Sequence, residues 1–179
     1  MRKVSQKIAA IRSDQRGVSA IEFSLFAGLL IFGMLNTADT SIYLYKRMQV
    51  ENATQMGAQE AWQTCDPNAS PPELPATLNC PSLTSAVTGA VQSTSLGANV
   101  SLQAVAEGYY CVDGSNQLQW VSDASSRPAD CSSAGMPSLK PGDYIKITTT
   151  FTYKPLFPGV TVAGLCPTPI TKTAWMRLD

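Results

Sequence analysis

The amino-acid sequence predicts an α+β protein. A long N-terminal helix, transmembrane at first and amphipathic beyond, forms a spine packed on a small antiparallel β-sheet domain. Three observations carry this. All 12 prolines lie between Pro67 and Pro169. Val18 to Leu35 is an 18-residue apolar run with one charge, Glu22. After Gly97 the apolar pattern turns to period two, the repeat of a strand rather than a helix.

The helix comes first. Proline breaks a helix interior, so the proline-free stretch from Val18 to Thr64 reads as one helix over about 18–63, ended at Asp66-Pro67. Its first 18 residues span roughly 27 Å, enough for a bilayer core. Residues 36–65 continue outside the membrane, with Ile42, Tyr45, Met48, Met56 and Trp62 as a broken apolar stripe. Asn36 and Gly57 are the weaker points of this half.

Charge sets the expected orientation. The 17 residues before the run hold Arg2, Lys3, Lys7, Arg12 and Arg16 against Asp14 alone. Removing five of 13 basic and one of 13 acidic residues leaves 8 against 12, a net charge of −4. A basic head on a mildly acidic body points to a membrane, not to nucleic acid. The head stays cytoplasmic by the positive-inside rule and the body, 66–179, lies on the far side. A cleaved secretory signal fits the basic head, but Glu22 interrupts the run and only Asn36-Thr37-Ala38 offers a small-residue cut site.

The body follows in order. Asp66 to Cys80 is a proline-rich loop. Leu83, Ala86, Val87, Ala90 and Val91 mark an amphipathic helix over about 82–94. Val100, Leu102, Ala104 and Ala106 share one face of a strand. Tyr109–Val112 and 117–121 flank Asp113-Gly114-Ser115-Asn116 as a hairpin. Asp123 to Gly142 is a loop. The next strand places Ile145, Ile147, Phe151 and Tyr153 on one side, and after a loop over 154–169 the last runs over about 170–177. Four or five strands result, one face against the helix.

There is no histidine, which removes the commonest general base and metal ligand and the Ser-His and Cys-His nucleophile pairs. The five cysteines, Cys65, Cys80, Cys111, Cys131 and Cys166, contain no C-x-x-C, so metal-ligand spacing is missing. In an oxidising compartment they read as disulfides. Cys65 with Cys80 and Cys111 with Cys131 are the simplest local bridges, other pairings staying open. Cys166 is the candidate left free or paired with another chain. No enzyme, catalytic residue, metal or cofactor is expected. Tyr109, Tyr110, Trp120 and Trp175 are expected as core or sheet-face residues. Asn52, Asn68 and Asn99 head three-residue glycosylation patterns that arise often by chance.

Arg16-Gly17-Val18-Ser19-Ala20-Ile21-Glu22-Phe23 resembles the processing site of type IV-like prepilins, and most closely the TadE-like pseudopilins of tight-adherence (Tad, or Flp) pilus systems. The final segments, Tyr144–Tyr153 and Ile170–Arg177, also look like the TadE-type ending. The resemblance implies a pilin-like fold and a leader, 1–17, cut after Gly17 by a membrane aspartic peptidase. Val18 would be the new N-terminus, with Glu22 and Phe23 as the characteristic acidic–aromatic pair. It implies a minor pilin or pseudopilin taking part in pilus assembly and adhesion. The implied partners are the membrane, the prepilin peptidase, other pilin subunits and the assembly platform. The implied place is the inner membrane, single-pass, with the C-terminal domain periplasmic or extracellular and the chain open to incorporation in the pilus. Where many relatives have a proline inside the apolar helix, this chain has Ala27-Gly28.

The motif has a physical reading. Glycine lets the backbone enter a narrow protease site. Cleavage exposes an α-amino group that is positive at neutral pH. Glu22, costly in lipid, would meet that amine on a neighbouring subunit, each charge offsetting the other. The plainer reading places Glu22 solvated at the headgroup edge. A membrane-tethered binding module without a filament role is the competing function.

Overall fold

The computed structural model describes residues 16–66 and 68–179, with side chains from Ser19 onward. The basic leader and Pro67 lie outside the described residues. The elements run α1 (Arg16–Thr64), α2 (Ala76–Asn79), α3 (Leu83–Gln92), β1 (Val100–Val112), β2 (Leu118–Asp123), β3 (Gly142–Phe151) and β4 (Ile170–Arg177). The expected long helix, short helix and last strand are present. The whole is an α+β arrangement with a four-stranded antiparallel sheet in the order β2-β1-β3-β4. Contacts group the described part of Met1–Ile42 with Lys154–Cys166, and separately Tyr43–Tyr153 with Pro167–Asp179.

The second unit holds the sheet. Ile145 and Ile147 of β3 are fully buried on one face, with Tyr109 and Cys111 of β1. The C-terminal part of α1 contributes Tyr43, Val50, Ala53, Thr54, Ala58 and Ala61 to the same core. The Thr54 hydroxyl donates to Val50 O at 2.6 Å and lies 2.6 Å from the Thr149 hydroxyl, which must then donate to it. This buried pair ties helix to sheet with no unmet polar group.

The apolar stripe expected on this helix is corrected. Tyr45, Met48, Met56 and Trp62 are exposed, and small residues make the buried face. Close approach decides it. A Cβ built on Gly57 would lie 2.8 Å from Val91 Cγ2, 3.4 Å from Val87 Cγ1 and 3.5 Å from Ile147 Cγ2. Large side chains there would hold α3 and the sheet away, so glycine and alanine face in. Gly57→Leu is expected to lower stability by about 1–3 kcal/mol through overpacking, read as a drop in thermal unfolding midpoint of the detergent-solubilised chain.

Strand β1 also differs from expectation. It is one strand of 13 residues, not two. Val100 is buried and Leu102 half-buried, but Ala104 and Ala106 are exposed, while Val105, Glu107 and Tyr109 turn inward. A bulge between Leu102 and Ala104 leaves Gln103 unpaired and exchanges the two faces. The hairpin after it is held by Asp113, whose carboxylate accepts from the Ser115 and Gln117 amides at 2.8 and 2.9 Å, with Asn116 at φ 60°.

Helix α2 lies in what the sequence suggests is a loop. Its first amides, Ala76 N and Thr77 N, donate to the Glu107 carboxylate at 2.7 and 2.6 Å. An acidic group at a helix start replaces the missing side-chain cap, but it comes from β1, 30 residues away. Cys65–Cys80 and Cys111–Cys131 are bonded, each with Cα atoms 5.8 Å apart, and Cys166 is free. The first bridge joins the end of α1 to the end of α2. The second ties β1 to the 124–141 loop. Tyr110 and Trp175 stack edge-on at 5.1 Å on the opposite face of the sheet, beside Tyr144, and Trp120 is exposed.

Candidate functional site

The motif from Gly17 to Phe23 lies in the first two turns of α1. Only the backbone of Arg16, Gly17 and Val18 is described, and it is helical. Glu22 and Phe23 are exposed, Phe23 at 75%. Ile21, Leu25, Phe26, Leu29, Leu30, Ile31, Phe32 and Met34 are also more than half exposed. The most apolar 18-residue window of this helix is long enough to cross a membrane and has none of its residues buried. Soluble domains rarely expose an apolar surface of this extent, which marks contact with lipid or with other helices. Among the described side chains, the ion pairs are Arg127–Asp179, Arg177–Asp179 and Lys172–Glu51, so Glu22 is without one.

Where the apolar run ends, the chain turns polar in a defined way. Asn36 Nδ2 donates to Phe32 O and Thr37 Oγ1 to Gly33 O, at 2.8 and 2.9 Å. Asp39 is fully buried. It accepts from the Leu156 amide at 3.1 Å and from the Thr161 hydroxyl, while Asn36 Oδ1 accepts from the Val162 amide at 2.8 Å. Both residues therefore hold the 154–166 loop against the helix inside the first unit. Sequence reasoning missed Asp39. The available signal was a second carboxylate four residues past the apolar run.

A second cluster, within the other unit, lies where β3 begins and β4 ends. Asp179 accepts from the Asp143 amide at 2.9 Å and pairs with Arg127 and Arg177. Asp143 is buried, and its Oδ1 has no partner among the described residues. Burial first, then the nearby Glu107 and Asp179 charges, pushes its carboxyl up to about 7. The folded state thus holds a proton that the unfolded chain, at the ordinary 3.8, releases. Stability from this group is present at low pH and is lost as pH rises from about 4 through about 7. Asp179 acts oppositely. Burial works against its charge, but the Asp143 amide and Arg127 hold its carboxyl below the usual value, so its contribution disappears only at more acidic pH. Unfolding midpoints measured from pH 4 to 8 should fall, and Asp143→Asn should flatten that slope.

Among the described residues no three His, Cys, Asp or Glu side chains are placed to hold a metal ion. The family model of TadE-like protein matches residues 17–59, which covers the motif, the apolar run and most of α1. It stops short of Tyr144–Tyr153 and Ile170–Arg177. No curated protein and no solved structure matches the chain.

Proposed function

The chain is TadE-like over residues 17–59, and from that premise we propose that it is a membrane-anchored pseudopilin, or minor pilin, that takes part in assembling a Tad-type surface pilus. The observation that carries the reading is the exposed apolar start of α1 with Glu22 in its second turn. In this reading residues 1–17 are a cytoplasmic leader removed by a prepilin peptidase. Residues 18–35 cross the inner membrane, 36–65 continue outside it, and 66–179 form the extracytoplasmic domain.

Glu22 is the assembly residue. An exposed carboxylate on a lipid-facing helix needs a partner. The new amino group at Val18 of a neighbouring subunit supplies one of opposite charge, which sets the register of insertion. Phe23 adds an apolar contact beside it. The exposed side chains of Tyr45, Met48, Met56 and Trp62 extend the same kind of helix surface beyond the membrane. The disulfides Cys65–Cys80 and Cys111–Cys131 suit an oxidising compartment.

Mass spectrometry of the native protein should find Val18 as its first residue, and the uncut chain where the prepilin peptidase is deleted. Glu22→Ala should leave cleavage intact and abolish recruitment into the assembly. An uncut chain in the presence of the peptidase would favour a tethered binding module instead. Normal assembly with Glu22→Ala would overturn the charge pairing.

A further inference from the structure

We infer that the loop from Lys154 to Cys166 is a second membrane contact, one that rests its apolar side chains in the outer boundary of the bilayer crossed by α1. The inference depends on the membrane-spanning reading of that helix. The loop has an unusual composition for an exposed connection. From Pro155 to Thr171 it carries no charge. Leu156, Val160 and Val162 are at least half exposed, and Leu165 is 86% exposed. The 124–141 loop serves as an internal comparison. It has five serines and three charged residues, Arg127, Asp130 and Lys140, and exposes only Leu139 among its large apolar side chains. Connections that face water are built like that one.

The loop's fold separates its two sides. Val160 N donates to Phe157 O at 3.1 Å, closing a turn over Pro158 and Gly159, with Gly159 at φ 78°. That geometry needs glycine at the third position and favours proline at the second. Beyond the turn, Thr161 and Ala163 are buried while Val160, Val162 and Leu165 point away. A short segment that buries its small and polar side chains and exposes its large apolar ones is not minimising contact with water. It is presenting a surface.

Position identifies what that surface meets. The loop is held by Asn36 and Asp39, one and four residues past Leu35. Along a helix those residues stand about 1.5 and 6 Å beyond the apolar run. The headgroup layer is about 5–8 Å thick on each side of the hydrocarbon core. Both tethers therefore fall within that layer when residues 18–35 span the core, and the loop they hold is at lipid depth. Lys154, exposed at the start of the loop, is suited to lipid phosphate. Interfacial segments bind membranes through this combination of apolar side chains and flanking cations.

The test uses the full chain in vesicles of equal parts phosphatidylethanolamine and phosphatidylglycerol. Cys166→Ser removes the free thiol, and an uncharged fluorophore is then attached through Leu165→Cys or Val160→Cys, with Leu30→Cys and Ser115→Cys as controls. These positions are exposed, so labelling does not disturb packing. With lipids that carry a nitroxide near the headgroup, quenching at 165 and 160 should be several-fold that at Ser115, which stands at the hairpin tip. Quenching at Leu30 but not at the loop would overturn the inference and leave the anchor standing. A loop probe shielded from water yet unquenched by nitroxide would mean a protein face covers it, which also overturns the inference. Quenching at neither Leu30 nor the loop would overturn both readings.

Discussion

Ile147→Ala is expected to cost about 3–5 kcal/mol, the upper part of the range for emptying a buried aliphatic site. Ile147 is fully buried at the middle of β3, flanked by Val105 on β1 and Ala174 on β4. Its Cγ2 lies under Gly57, where α1 meets Val87 and Val91 of α3. How much such a deletion costs depends on how far the surroundings collapse. Here the strands are fixed on both sides by ladder pairing, and α1 is already at contact distance from α3. The cavity would stay open. A domain of this size has about 5–15 kcal/mol in total, so the loss is a large fraction of it. Thermal unfolding of the detergent-solubilised chain should show one cooperative transition at much lower temperature. Ile147→Val, which removes one methylene, should cost only about 0.5–1.5 kcal/mol.

What the sequence revealed and what it hid follow the range of the interactions concerned. The span of α1 was legible because proline exclusion is a local rule, and all 12 prolines obey it. The 83–92 helix, the Asp113–Asn116 turn and the last strand were legible for the same reason. The inward face of α1 was not. Reading apolarity by size selects Met48, Met56 and Trp62, whereas the packing selects Ala53, Gly57, Ala58 and Ala61. Close approach rewards smallness, and no period in the sequence says which face a sheet will take. The bulge at Gln103 was hidden because it is a property of two strands, and it exchanged the faces of everything after it. Helix α2 was hidden because its cap, Glu107, is supplied from another element. At the candidate site the contrast is sharper. Glu22 stood out as a charge within an apolar run. Asp39, just past it, carries no such local mark, and only the return of the 154–166 loop buries it.

That burial makes Asp39→Ala the second large effect, and a local one. The carboxylate accepts from the Leu156 amide and the Thr161 hydroxyl in a site without solvent. Removing it leaves both donors to lose their partner at once. A hydrogen bond to a charged acceptor is worth about 1.5–3 kcal/mol, and a stranded buried donor adds its own desolvation cost. Thr161 has a fallback in Phe157 O at 3.4 Å, but the Leu156 amide has none among the described bonds. The loop should therefore open by about 2–4 kcal/mol more readily, which speeds exchange of its protected amides by about 30- to 1,000-fold. Exchange at Leu156 and Val162 reports this directly. The ladder amides of β3 and β4 belong to the other unit and should hold their protection, because the loop's carboxylate bonds do not involve them. Asp39→Asn keeps one acceptor oxygen and should give an intermediate rate. If the loop rests in lipid, the same variant carries a second consequence. Opening would release Leu156, Val160 and Leu165 from their tether while leaving α1 in the bilayer, so nitroxide quenching at the loop would fall and quenching at Leu30 would not.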